Sequence, residues 1–68
     1  MKQIQNVLKE KRNERNLTQK DVADYLNISQ QAYAHYESGK RLIDIDKLIK
    51  LADLYQISLD ILSGRYGD

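Results

Sequence analysis

Residues 17 to 41 read LTQKDVADYLNISQQAYAHYESGKR and contain the most informative pattern of the sequence. Thr18, with an acid three residues later, predicts a helix start, and Asn27, which tolerates the left-handed conformation, predicts the end of that helix. Ser29 predicts the cap of a second helix, which Gly39 closes. Two short helices joined by a turn of about three or four residues, with a basic loop after them, form a helix-turn-helix pattern.

Apolar residues at helical spacing extend the pattern in both directions along the chain. Before it, a basic amphipathic helix is expected from Lys2 to Arg15, ended by Asn16, and after it Asp44 and Ser58 predict the caps of two further helices. No segment alternates apolar and polar residues with period two over a useful length, and β-branched residues are scattered, so no strand is expected. The predicted fold is therefore all-α, a compact bundle of five short helices over residues of about 2–15, 18–26, 29–38, 44–55 and 58–63.

Length and composition narrow the class of protein. A chain of 68 residues buries only about 60% of the surface that its unfolded form exposes, so we expect a single domain over residues 1–68. The sequence has no Cys, which excludes a disulfide framework and fits a cytoplasmic protein. No apolar run approaches the roughly 18 residues of a membrane span, so neither membrane insertion nor secretion is expected.

Charge is unevenly distributed along the chain, although the net charge is only +1. Residues 1–16 carry five Lys or Arg against two acids, whereas residues 42–68 carry three against five. This asymmetry indicates a polyanionic partner on one side of the molecule, but a solvated basic helix face gives the same pattern.

The third predicted helix has two different faces, because successive residues are rotated by about 100°. Ala32, Tyr33 and Tyr36 fall together and are expected to face the core. Gln pairs bidentately with adenine in the major groove, so the uncharged opposite face is a candidate for reading bases; the alternative is a merely polar helix start. That face carries Gln31, Ala34, His35 and Ser38, with Gln30 at its flank.

A second group of residues fits contacts to phosphate, which position a protein on nucleic acid without reading its sequence. If these residues act together, binding should weaken as salt rises. For each cation taken alone, a solubilising surface charge is the alternative. The group consists of Thr18, Gln19, Lys20, Lys40 and Arg41.

Residues 17–41 resemble the Cro/CI-type (XRE) helix-turn-helix family, which has the lambda-repressor-like fold, and residues 48–52 and 57–62 resemble its last two helices. The resemblance implies that Gln19 holds a DNA phosphate at the start of the second helix. It implies that Lys40 and Arg41 grip the DNA backbone. The residues that it directs at bases are Gln30, Gln31 and His35.

The resemblance also implies an ion pair between Arg12 and Glu37, which would tie the first helix to the end of the third. Two positions depart from the family pattern. Asn27 stands where Gly is usual, and Asn tolerates the same backbone conformation. Ile43 stands where many members have Pro, which leaves that loop less rigid.

His35 has two rival interpretations, as a metal ligand or as a catalytic base. It is the only His, the sequence has no Cys, and the acids lack ligand spacing, so neither a metal site nor a cofactor is expected. Ser29 lies on another face of the same helix, so a nucleophile pair is not supported and no enzymatic activity is expected. A buried, structural His35 stays open as an alternative.

A unit of this size reads only a few base pairs, so we expect a homodimer on double-stranded DNA. Large apolar residues stand at Leu54 and Ile61, where the family usually has small or polar ones. They suggest a symmetric interface together with Tyr66, and additional core packing is the alternative.

The function that these features predict is a dimeric repressor that binds an inverted repeat and occludes a promoter. Alternatives with the same chemistry are the antitoxin of a toxin-antitoxin pair and the controller of a restriction system. A different alternative is a protein-interaction module that has lost its DNA contacts. Since 68 residues leave no room for an effector domain, regulation is expected from concentration, a partner protein or an antirepressor protein.

Overall fold

The computed structural model describes residues 3–62 and contains, within them, five α-helices and no strand. The predicted all-α fold is confirmed, and each helix boundary lies within two residues of the expected one. None of these helices is long and apolar enough to cross a membrane. The helices are α1 (Ile4–Glu14), α2 (Gln19–Leu26), α3 (Gln30–Ser38), α4 (Ile45–Tyr55) and α5 (Leu59–Leu62).

Side-chain caps begin the helices at the four predicted positions. Thr18 forms a reciprocal capping box: its Oγ1 accepts from the backbone N–H of Asp21 at 3.0 Å, and its own N–H donates to the Asp21 carboxylate at 2.9 Å. Ser29 Oγ accepts from a backbone N–H at 3.0 Å, and the Asp44 carboxylate does so at 3.3 Å. Ser58 Oγ accepts a bond of 3.2 Å at the start of α5. Each cap satisfies an N–H group that has no partner inside its helix.

Three helices end in the same way, on a left-handed residue that is not glycine. Asn16, Asn27 and Gln56 have φ of 57°, 60° and 55°. The residue after each is apolar, packs against the core, and donates its N–H to the carbonyl five residues earlier. These bonds measure 3.1 Å for Leu17, 3.0 Å for Ile28 and 3.1 Å for Ile57. The closing bond and the apolar contact stop the helix together.

The core lies between the inner faces of all five helices. Tyr33 is fully buried, and its ring meets that of Tyr36 edge-to-face at 6.4 Å. These two residues face the core as expected, whereas Ala32, for which the same was expected, is only half-buried. The buried apolar side chains are Val7, Leu8, Val22, Ala23, Leu26, Tyr33, Tyr36, Leu48, Leu51, Ala52, Tyr55 and Leu62.

Replacement of Gly39 tests how strongly the end of α3 depends on backbone conformation. Gly39 has φ of 82°, and a Cβ there would lie 3.0 Å from Nε2 of Gln5. We predict that Gly39→Ala lowers the free energy of unfolding by about 1–2 kcal/mol, because an L side chain is strained in the left-handed region. Urea denaturation measures the change.

Asn27→Gly is the matched control, since Asn27 is also left-handed and glycine adopts this conformation without strain. Its stability should equal or exceed that of the wild type. A Gly39→Ala variant as stable as the wild type would show that the left-handed conformation at residue 39 does not require glycine.

Candidate nucleic-acid interface

The outward face of α3 presents uncharged polar side chains. Gln30 and Gln31 are exposed and His35 is half-buried. Gln31 and His35 line an open recess of about 200 Å³, together with Ser29, Ala32 and Arg41. The structure therefore brings two of the three predicted base-reading residues together with one of the predicted phosphate-binding cations.

The loop after α3 folds back on the helix and fixes the start of its basic segment. The backbone N–H of Arg41 donates to the carbonyl of His35 at 3.2 Å, and Ser38 Oγ donates to the same carbonyl at 3.2 Å. Lys40 and Arg41 are both exposed, and neither forms an ion pair within residues 3–62. Two uncompensated cations thus lie beside the polar face of α3.

The other predicted phosphate-binding residues lie at the start of α2 and are engaged in different ways. Thr18 is exposed and serves as the N-cap of α2. Lys20 Nζ lies 2.9 Å from the carboxylate of Asp24, and both side chains are about two-thirds exposed, at 68% and 65%. This neighbour partly offsets the charge of Lys20. Its role at phosphate remains a prediction.

Gln19 is half-buried, and its side chain bonds to a buried residue of the protein instead of lying free in solvent. Its Nε2 donates to Oε1 of Glu37 at 3.2 Å, which links the first residue of α2 to the last turn of α3. An amide nitrogen carries two N–H groups, so this bond uses one of them.

Glu37 is the buried polar residue at the centre of these contacts, with a side chain that is only 3% exposed. Arg12 grips both of its oxygens: Nε lies 2.7 Å from Oε2 and Nη2 lies 3.1 Å from Oε1. The hydroxyl of Tyr33 donates to Oε2 at 2.6 Å. The third donor of Arg12, Nη1, reaches the carbonyl of Leu17 at 2.8 Å, just before α2. The pairing expected from the family resemblance is present, and we call Arg12, Gln19, Tyr33 and Glu37 the Glu37 cluster.

These contacts shift the protonation equilibria of the cluster. Burial by itself would raise the pKa of the Glu37 carboxyl, but hydrogen bonds from Arg12, Tyr33 and Gln19 outweigh burial and lower it. The bond to Glu37 raises the pKa of Arg12. Burial, followed by the same carboxylate, raises the pKa of Tyr33 far above its ordinary value. The cluster therefore holds one carboxylate and one guanidinium, both charged at neutral pH.

One cation that lies next to these residues, Lys9, was not among the residues predicted for the site. Lys9 lines a second open recess, of about 280 Å³, with Gln19, Ala34, Glu37 and Ser38. The signal was available in the sequence, because Lys9 precedes Arg12 by three residues and such residues share a helix face. We call this space the Lys9 recess.

The residues predicted for a dimer interface are not equally accessible. Leu54 is half-buried and packs against the core, in agreement with the alternative that was left open for it. Ile61 is 41% exposed. Tyr66 lies outside the described residues. Further exposed apolar side chains, which the sequence did not single out, are Tyr25, Leu42, Ile45 and Ile49.

Comparison with protein families and curated proteins agrees with this geometry. A family model described as helix-turn-helix matches residues 8–62. The transcriptional repressor RstR of cryptic phage CTXphi in Vibrio cholerae is 44% identical over 52 residues, which are 76% of this chain and 46% of that protein. The transcriptional regulator ImmR of Bacillus subtilis is 43% identical over 58 residues, which are 85% of this chain and 46% of that protein.

Among solved structures, the crystal structure of a transcriptional regulator from Listeria innocua superposes with a TM-score of 0.88 at 33% identity. The match covers 97% of this chain and 62% of that one. The chain spans about half the length of the curated relatives that it matches.

Removal of Arg12 tests the Glu37 cluster. We predict that Arg12→Ala lowers the free energy of unfolding by about 3–5 kcal/mol at neutral pH, because it leaves a buried carboxylate without its counter-charge. Lys11→Ala is the control: Lys11 and Glu14 form a 3.5 Å pair with side chains 21% and 56% exposed. The loss of such a pair should cost about 1 kcal/mol or less.

The difference in the free energy of unfolding between Arg12→Ala and the wild type should become smaller in acid. Because the folded protein lowers the pKa of Glu37, the contribution of the pair is complete above the unfolded value, near 4.5, and is lost as pH falls through the folded value. Thermal unfolding followed by circular dichroism from neutral pH to about pH 3 measures this. A difference that stays constant over that range would show that the carboxylate charge is not what Arg12 stabilises.

Proposed function

The chain belongs to the helix-turn-helix family, and from this premise we propose that it is a DNA-binding transcriptional regulator that reads sequence through α3 in the major groove. The helix-turn-helix identity is what residues 17–41 predicted. That the chain regulates transcription is a further step, because it spans only about half the length of relatives that are named as regulators.

The observation that carries the proposal is the composition of the exposed face of α3. A face that only meets water is usually filled with Lys and Glu, whereas α3 exposes Gln30 and Gln31. Amide side chains match the paired donor and acceptor of adenine in the major groove. The partly exposed imidazole of His35 and the recess that Ala32 helps to line extend the same surface.

Cations border this surface on the side where DNA phosphates would run. We assign Lys40 and Arg41 to the backbone, with Thr18, Gln19 and Lys20 at the start of α2. Such contacts supply affinity that does not depend on sequence, while Gln30, Gln31 and His35 supply the preference for particular bases.

We further propose that two copies bind an inverted repeat with half-sites about one helical turn apart, since one α3 reads only a few base pairs. Exposed Ile61 supports a contact between copies. Binding across a promoter would make the protein a repressor. We place this role in the cytoplasm and assign it no catalytic step. Regulation of the repressor would come from a partner or antirepressor protein, or from protein sequence outside these 68 residues.

Two single substitutions separate base reading from phosphate binding. On a preferred duplex, Gln31→Ala should cost about 1–3 kcal/mol of binding free energy and relax the base preference at one position. Lys40→Ala should weaken preferred and scrambled duplexes alike and lower the slope of log affinity against log salt by about one. Fluorescence anisotropy over a salt series measures both effects.

Equal losses of Gln31→Ala on preferred and scrambled duplexes would remove Gln31 from base reading. A wild-type protein that is folded yet binds no duplex at low salt would contradict the proposal and favour a protein-interaction module.

A further inference from the structure

One side of α4 and the loop before it expose apolar side chains. Leu42 is 83% exposed, Ile45 56% and Ile49 46%. Ile45 and Ile49 lie one helical turn apart on the same face, and Leu42 precedes Ile45 by three residues in the loop that enters the helix. Single exposed apolar residues are normal on a soluble protein, but a run of three marks a candidate binding surface. We call Leu42, Ile45 and Ile49 the α4 stripe.

The α4 stripe does not take part in the core. Its three side chains are absent from the apolar residues that are buried or packed against the core. The face of α4 that closes the core consists of other residues, namely Leu48, Leu51, Ala52 and Tyr55. The stripe is therefore not explained by the folding of residues 3–62.

Two carboxylates border the stripe at Ile49. Asp46 and Asp53 are exposed, and neither forms an ion pair in the described part of the chain. At about 100° per residue they lie about 60° and 40° around the helix from Ile49, whereas the exposed Lys50 lies about 100° away. The border of the stripe is thus negative, and the lysine lies outside it.

Size and charge both disfavour a second copy as the occupant. Three aliphatic side chains offer on the order of a few hundred Å² per copy, against the roughly 800 Å² per partner of a stable interface. In an antiparallel pair of α4 helices around a two-fold axis, Asp46 and Asp53 would lie on the same side as the identical carboxylates of the other copy. The occupant that fits is short, apolar and cationic.

We propose that the α4 stripe binds a short segment of a partner protein, in which apolar residues are flanked by Lys or Arg. The apolar residues would cover the stripe and the cations would face Asp46 and Asp53. This inference goes beyond the proposed function and does not depend on DNA binding. Because Leu42 directly follows Arg41, a bound segment would lie beside the loop that we assign to the DNA backbone.

The test uses the full chain without DNA and two fluorescein-labelled peptides of about 14 residues, each with Leu at the i, i+3, i+4 and i+7 positions of a helix. One peptide carries Lys and Ala at the other positions, and the second carries Glu and Ala. Fluorescence anisotropy gives the Kd of each peptide at about 50 mM and about 300 mM salt, where charge is weakly and strongly screened.

Four variants are compared with the wild type. Ile49→Ser removes apolar surface from the stripe, and Ile61→Ser is its control on α5. Asp53→Asn removes one bordering charge, and Asp24→Asn makes the same change in net charge at an exposed position of α2. Circular dichroism checks that each variant is folded.

The wild type should bind the Lys peptide at least about tenfold more tightly than the Glu peptide at low salt, with a smaller preference at high salt. Ile49→Ser should weaken binding of the Lys peptide by about three- to tenfold, because it removes apolar contact. Asp53→Asn should weaken it by about two- to fivefold, the range of an exposed ion pair. Both controls should bind as the wild type does.

The inference is overturned if the two peptides bind equally well or not at all, or if the stripe variants match their controls. It is also overturned if sedimentation shows a dimer that Ile49→Ser abolishes, because the stripe would then belong to a second copy. Should Ile49→Ser fail to fold, the comparison of Asp53→Asn with Asp24→Asn decides. None of these results bears on DNA binding.

Discussion

The buried carboxylate of Glu37 joins the first three helices, because its hydrogen-bond donors lie on α1, α2 and α3. A charge taken out of water is costly unless counter-charge and hydrogen bonds surround it, and here all of its partners come from different parts of the chain. Arg12 reaches it from α1, Gln19 from α2, and Tyr33 from one turn earlier in α3. Because Arg12 also binds the carbonyl of Leu17, the start of α2 is held in the same network.

This arrangement divides α3 between two tasks. Its inner side, with Tyr33, Tyr36 and Glu37, fixes the position and rotation of the helix in the fold. Its outer side is not needed for packing, and we propose that it reads DNA. A binding surface works best when rigid elements hold it, and the Glu37 cluster supplies that rigidity with few residues.

Local chemistry made much of the fold predictable. Thr18, Ser29 and Asp44 are residues whose short side chains cap helices, and Asn27 and Gly39 tolerate the conformation that ends them. Gln56 was not foreseen, since Gln has no special preference for the left-handed region. The apolar Ile57 after it was the available signal, because it anchors the helix end as Leu17 and Ile28 do.

The candidate site was predictable where it follows from one helix and not where it requires three. The faces of α3 follow from its period, although Ala32 lies nearer the surface than a core-facing position implies. The pairing of Arg12 with Glu37, 25 residues apart, came from the family resemblance and not from spacing. The pairing of Lys20 with Asp24, four residues later in α2, was available from helix spacing, whereas the bond from Gln19 to Glu37 depends on how α2 packs against α3, which the sequence does not display.

Selection from a pool of random DNA duplexes at about 150 mM salt, where binding through phosphates alone is weak, shows whether the protein prefers particular base sequences. We propose that α3 reads bases and that two copies bind together, so we expect enrichment of an inverted repeat with half-sites about 10 base pairs apart. A folded protein that enriches no sequence would contradict the proposal that α3 reads bases.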